Sequence, residues 1–255
     1  MNSDEKTQAI LAAIPDTSWQ TLAGKRIYFG HMSVGFNIME GVDTLIKQRP
    51  VSALNIVESN APDAFAAPVF AHSRNGRNQD PFSKIRAFAR TMDSGVGARA
   101  DIALFKFCYV DFTADSDTSK LFVEYKNEFA RLQQSYPNVT FVHVTVPLVE
   151  LQSGPKALLK RVLGKQVGGA AENMTRHRFN ELLRNEYRSR APIFDLAELE
   201  STRADGSRMT FSAEGATYPA MAAEYSSDGS HLNGSGSRWI AAHLLALLAT
   251  QSTLR

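Results

Sequence analysis

The chain has 255 residues, 44% hydrophobic and 21% charged, which excludes disorder, collagen-like repeats and low-complexity material. Its 28 Lys and Arg against 26 Asp and Glu leave a net charge of +2, too even for a protein whose main partner is nucleic acid. The lone Cys108 excludes an intramolecular disulfide and cysteine-based zinc sites.

No run approaches 18 consecutive apolar residues, so no membrane span is expected. The opening Met1-Asn2-Ser3-Asp4-Glu5-Lys6 is polar, with no basic region leading into an apolar run, and does not read as a secretory leader. The expected location of the sequence as written is the cytoplasm, with the possibility of a leader upstream left open.

Residues 1–23 read as an N-terminal extension or helix, and 24–255 as the main domain. Lys25 to Gly30 reads as a first strand. Ser33 to about Gln48 follows as a helix, with Val34, Ile38, Val42, Leu45 and Ile46 on one face. Ala53 to Val57 reads as a second strand, and Ser83 to about Met92 as a helix with Ile85, Phe88 and Ala89 inward. Asp101 to Cys108 is a third strand. Ser119 to Tyr136 is a helix with Phe122, Tyr125, Phe129 and Leu132 at helical spacing. Val139 to Val146 is a fourth strand, stopped by Pro147. Glu172 to Arg190 is a charged helix with Phe179, Leu182 and Leu183 as its stripe. Pro192 to Leu196 is a fifth strand, and Trp239 to Leu248 a last, nearly all-apolar helix. This alternation implies βαβ units. The expected fold is a single flavodoxin-like three-layer α/β/α domain with a parallel sheet of about five strands. Glu150–Ala171 reads as a short helix plus loop, and Ser201–Ser227 as a long irregular stretch. Both are expected to shape a substrate pocket.

Functional groups in such folds sit at the carboxyl ends of strands. Two segments there carry chemistry. In Asp228-Gly229-Ser230-His231-Leu232-Asn233 an Asp and a His lie three apart, so the carboxylate can orient the imidazole as a general base. The alternative is a turn or helix cap beside an exposed histidine. In Phe29-Gly30-His31-Met32-Ser33-Val34-Gly35 the first strand meets the first helix. Ser33 there is either a nucleophile whose own N–H faces a developing oxyanion, or an ordinary N-cap.

Joined in the order Ser, Asp, His, these segments resemble the SGNH/GDSL hydrolase superfamily, over about Gly24 to Leu248. The resemblance implies Ser33 as nucleophile, His231 as base and Asp228 as its orienting partner. It implies no cofactor. Two blocks depart from the family pattern. His31-Met32-Ser33 stands in place of Gly-Asp-Ser. Cys108-Tyr109-Val110-Asp111 stands in place of Gly-x-Asn-Asp, with Val110 where the family's oxyanion-hole Asn is expected. The second block points to Gly76, within His72-Ser73-Arg74-Asn75-Gly76-Arg77-Asn78, as a backbone donor to the oxyanion. Asn75 or Asn78 are candidates for the missing amide, and an ordinary Asn-Gly turn is the alternative.

His31, Lys106, Tyr109 and Asp111 are further pocket candidates. Lys106 is expected either to pair Asp111 or, preferably, to run its stem over apolar surface to solvent. His31 is expected to line the site or to bond a backbone carbonyl. The histidines show no metal-ligand spacing, so no metal is expected.

The resulting expectation is a serine esterase, or acyltransferase, acting on a short acyl ester. An acetyl group on a carbohydrate or other small molecule is one such ester. The alternative is a non-catalytic binding module, which requires Ser33 and His231 to lie out of reach of each other, or Val110 or His31 to fill the oxyanion pocket. A nucleotide site is disfavoured by the absence of a glycine-rich phosphate loop after strand one. Oligomeric state is open.

Overall fold

The computed structural model describes residues 3–48, 54–163 and 166–253. Two helices, α1 (Ser3–Ala12) and α2 (Asp16–Ala23), lead into β1 (Arg26–His31) and α3 (Val34–Lys47). Then come β2 (Ile56–Glu58), β3 (Val69–Arg74), α4 (Pro81–Thr91), β4 (Ile102–Phe105) and α5 (Thr118–Ser135). The second half holds β5 (Thr140–Val144), α6 (Pro155–Val162), α7 (Ala170–Tyr187), β6 (Ile193–Phe194) and α8 (Leu196–Ser201). A hairpin of β7 (Thr210–Ala213) and β8 (Ala216–Pro219) precedes the last helix, α9 (Gly234–Thr253).

The main sheet is parallel throughout, in the order β2-β3-β1-β4-β5-β6. Its six strands exceed the five expected. The additional strand is β3, whose Val69-Phe70-Ala71-His72-Ser73-Arg74 mixes apolar and polar residues and has no element assigned to it from sequence. It pairs directly with β1 (Tyr28 beside Ala71, Gly30 beside Ser73). The expected second strand becomes the edge strand β2, and its first residue, Ala53, lies outside the described residues. Ser201–Ser227 is not irregular throughout. The β7–β8 hairpin lies within it, closed by Glu214 and Gly215 at φ 51° and 76°, as a type I′ turn requires.

Strand side chains alternate between two cores, as the period of two dictates. Ile27, Phe29, Ile102, Leu104, Val142 and Val144 face α1, α2, α3 and α9. Tyr28, Ala103, Phe105 and Phe141 face α4, α5 and α7 through Phe88, Phe129, Phe179 and their neighbours. Helix α9 is apolar nearly all round because α1, α2 and α3 pack on it. The α3–α9 contact is close. A Cβ on Gly41 would overlap the Ser237 carbonyl, so Gly41→Val is expected to cost about 1–3 kcal/mol. Urea unfolding should show it, and an unchanged midpoint would contradict this packing.

The second core also buries His143. Its Nδ1 lies 2.8 Å from Tyr125 Oη, and burial pushes its pKa down to about 3. An unfolded histidine titrates near 6.5. Between these values the unfolded chain binds more protons, so stability is complete above about pH 6.5 and is lost as pH falls. Urea titrations at about pH 7 and pH 5 should differ by up to roughly 1.4 kcal/mol per pH unit from this group. His143→Gln should flatten that slope.

Candidate active site

The order of the sheet reverses at β1, which has the later β3 on one side and β4 on the other. Loops leaving β1 and β4 therefore diverge around a crevice at their carboxyl ends, where ligands bind in open α/β sheets. Ser33 stands in the turn from β1 to α3 with φ 53° and ψ −115°, a backbone conformation rare outside glycine. Holding a serine there costs on the order of 1–3 kcal/mol. The same sharp strand-to-helix turn exposes the serine of other hydrolase folds. Ser33 makes no side-chain cap to its helix, so it is not the ordinary N-cap of the alternative reading.

The Ser33 hydroxyl instead donates to His231 Nε2 at 2.6 Å. His231 Nδ1 donates to Asp228 Oδ2 at 2.7 Å. The backbone N–H groups of His231 and Ser230 bond the other carboxylate oxygen, at 2.7 and 2.8 Å. The His231 N–H and imidazole hold the Asp228 carboxyl well below the usual carboxylate range, so it stays an acceptor. Gly229, at φ 82°, lets the chain fold tightly enough for both oxygens to be used. The loop is tied down on one side by the Glu150 N–H on the Gly229 carbonyl, and on the other by Asn233 on the Tyr225 and Glu224 carbonyls. Of the two geometries that the binding-module reading expects, the first, Ser33 and His231 out of reach of each other, is absent: they are bonded.

Gly76 lies in the loop just after β3 at φ 67°, with Lys84 so close that a Cβ would overlap it. Among the described residues, neither the Ser33 N–H nor the Gly76 N–H bonds a protein acceptor. Asn75 is buried beneath Gly30, and its amide nitrogen is occupied by the Lys84 carbonyl at 3.1 Å. Asn78 is exposed, with its side-chain oxygen accepting from Lys84 Nζ.

The third block differs from expectation. Val110 lies in a short turn (Tyr109–Asp111) and lines a separate cavity of about 530 Å3 with Gln79, Pro81 and Phe82. None of Ser33, Asp228 and His231 borders that cavity. The residue of this block that touches the Ser33 turn is Cys108, whose thiol donates to the Met32 carbonyl at 3.5 Å. Tyr109 stands edge-on to His231, with its hydroxyl 3.5 Å from Nε2. Burial raises the Tyr109 pKa, so the phenol keeps its proton and can donate.

The remaining pocket candidates are structural. His31 is wholly buried and does not bond a carbonyl. Its Nε2 meets His72 Nδ1 at 3.0 Å, and burial followed by the charges around it pushes its pKa down to about 2. Lys106 does not reach solvent and does not pair Asp111. Its ammonium is buried against the Phe107 carbonyl (3.0 Å) and Cys108 Sγ (3.7 Å), and burial lowers its pKa. Asp111 is buried and taken by Lys84 at 2.6 Å, while also accepting from the N–H groups of Cys108 and Gln79. These bonds fix the loop after β4 against the loop after β3, a geometry that demands carboxylate and amine together.

Sequence reasoning missed Lys84 and Arg176, because both sit on helices where a cation reads as solvent-facing. Arg176 is buried, clamps the Tyr109 carbonyl through two nitrogens (3.2 and 3.0 Å) and lies 5.9 Å over its ring. The two irregular segments do meet near the site. Val149–Ser153, Gly168–Gly169, Ala223 and Ser226–Ser230 line a groove of about 710 Å3 that includes Asp228.

No family model matches the chain, and no curated protein matches it. Solved structures do. A GDSL-like lipase from Bacteroides thetaiotaomicron is 11% identical with a TM-score of 0.53, over 98% of each chain. The periplasmic domain of a lipopolysaccharide acetyltransferase from Salmonella ser. Paratyphi A is 11% identical with a TM-score of 0.46, over 85% of this chain and 81% of that one. The chain therefore has the SGNH/GDSL hydrolase fold.

Proposed function

We propose that the protein is a serine esterase, or acyltransferase, working through Ser33, His231 and Asp228. The observation that carries this reading is the unbroken relay from Asp228 through His231 to Ser33, with both bonds at 2.7 Å or less. A cap serine and an exposed histidine have no reason to share it across 198 residues of sequence.

In the first half-reaction His231 Nε2 takes the Ser33 proton while Oγ attacks the ester carbonyl. Negative charge develops on the carbonyl oxygen, and the N–H groups of Ser33 and Gly76 are its donors. The tetrahedral species collapses, the acyl group stays on Ser33, and His231 returns the proton to the leaving alkoxide. Water or an alcohol then enters on the His231 side and reverses the sequence. Asp228 keeps the Nδ1–H tautomer and stabilises the imidazolium without taking the proton. Tyr109 Oη, beside Nε2, is placed to donate to the oxygen that leaves or enters.

The groove beside Asp228 supports a hydroxyl-rich substrate. Gln152, Ser153, Ser226, Ser227 and Ser230 border it, together with the peptide groups of three glycines. Such a lining suits a short acyl ester on a carbohydrate better than a long acyl chain.

The test is hydrolysis of p-nitrophenyl acetate with an initial burst that counts active sites. Ser33→Ala and His231→Ala are each expected to abolish the burst. An unchanged rate in Ser33→Ala would overturn the reading. Asp228→Asn is expected to lower kcat by on the order of 10³–10⁴ with little change in KM, because the wrong tautomer is then favoured. A loss confined to KM would instead place Asp228 in binding.

A further inference from the structure

Helix α6 is amphipathic the wrong way round. Of its described side chains only Ala157 is buried, at 2% exposure. Leu158, Leu159 and Val162, with Leu163 just beyond, are 63%, 59%, 76% and 58% exposed. Only one other large apolar side chain among the described residues, Val123, is singled out by comparable exposure. Leu158 with Val162, and Leu159 with Leu163, are spaced four apart, so the four form one stripe. Ala157 falls on the opposite side at 100° per residue. The apolar face thus lies mostly in solvent, away from the protein.

The sequence around the stripe is cationic. Between Leu151 and Ala171 stand Lys156, Lys160, Arg161 and Lys165, with no acidic residue. An apolar stripe interleaved with lysine and arginine suits the boundary of an anionic bilayer, where apolar side chains enter the acyl region and cations meet phosphate. A second protein surface would have to match both features at once. No helix among the described residues is long and apolar enough to cross a membrane, so such an attachment is peripheral.

We propose that α6 and Leu163 dock the protein on the surface of an anionic phospholipid bilayer. The helix leaves and rejoins the fold at the rim of the groove beside Asp228. The Gln152 N–H closes its base on the Gly168 carbonyl at 2.9 Å, and Gln152, Ser153, Gly168 and Gly169 all line that groove. Docking therefore brings the groove mouth close to the lipid surface. The docking stands on α6 alone and does not depend on the esterase reading.

The test is co-sedimentation of the full chain with vesicles of phosphatidylcholine alone, and of phosphatidylcholine mixed with phosphatidylglycerol. Binding is expected to the mixed vesicles, far weaker binding to phosphatidylcholine alone, and release by high salt. Combined Lys156→Glu, Lys160→Glu and Arg161→Glu should weaken binding on the order of a hundred-fold. Combined Leu158→Ser, Leu159→Ser, Val162→Ser and Leu163→Ser should weaken it at least about tenfold, with little change in the thermal melt because the stripe is mostly exposed. The proposal is overturned by absent binding of the parent chain to the mixed vesicles, or by equal binding of both variants. A parent dimer that the four-serine variant converts to monomer, seen by light scattering, would assign the stripe to a second copy of the chain instead. Ester hydrolysis is read separately, so the two readings fail independently.

Discussion

Everything at the site depends on the turn that carries Ser33. A parallel sheet buried on both faces fixes where β1 ends, and α3, packed on α9, fixes where the helix begins. The chain has two residues, Met32 and Ser33, in which to change direction, and Ser33 takes a φ that a side chain disfavours. The surroundings hold it there. The His31 ring occupies the space where a side chain at Gly35 would lie, and Asn75 fills the space over Gly30. Both glycines are thus contact positions around the turn, and the strain at Ser33 is held by the packing of two helices and three strands.

The charged groups beneath the site follow a different logic. Lys84, Asp111, Lys106 and Glu200 are all buried, and burial costs each a solvation shell. Lys84 and Asp111 recover it from each other and from backbone N–H groups. Glu200 recovers only part: one oxygen accepts from the Leu148 N–H at 2.6 Å, the other has no partner, and burial pushes its pKa up to about 8. Burial thus disfavours its charged form, while its bond to Leu148 ties the loop after β5 to α8. Asp111 sets the loops after β3 and β4 relative to each other, and Glu200 holds the loop after β5 on α8, around the turn that carries Ser33.

Much of this was legible in the sequence. The alternation of apolar runs with helical stripes gives a parallel sheet, and Asp-x-x-His before an apolar helix gives the relay, because spacing alone places both residues in one loop. Strand β3 was not legible, since His72, Ser73 and Arg74 break its apolar run and its burial comes from β1 and β2 on either side. Lys106 was misjudged for a related reason. Propensity sends a lysine stem to the surface, whereas the strand continues inward and the ammonium finds a carbonyl and a thiol there. Val110 was matched by its place in a four-residue block, but the turn at Tyr109–Asp111 rotates it into another cavity and leaves Cys108 facing the Ser33 turn. Strand β3 depends on pairing with residues far apart in sequence, which no local pattern encodes, whereas Lys106 turns inward onto its own neighbours Phe107 and Cys108.

The central claim is that Ser33 is an activated nucleophile and not a serine that merely lies near a histidine. The most direct measurement is the intact mass of the folded protein after exposure to a fluorophosphonate, with the adduct located by peptide mapping. The expected result is one phosphonyl group per chain, on Ser33, and none in His231→Ala. A folded protein that stays unlabelled, or that is labelled equally without His231, would contradict it.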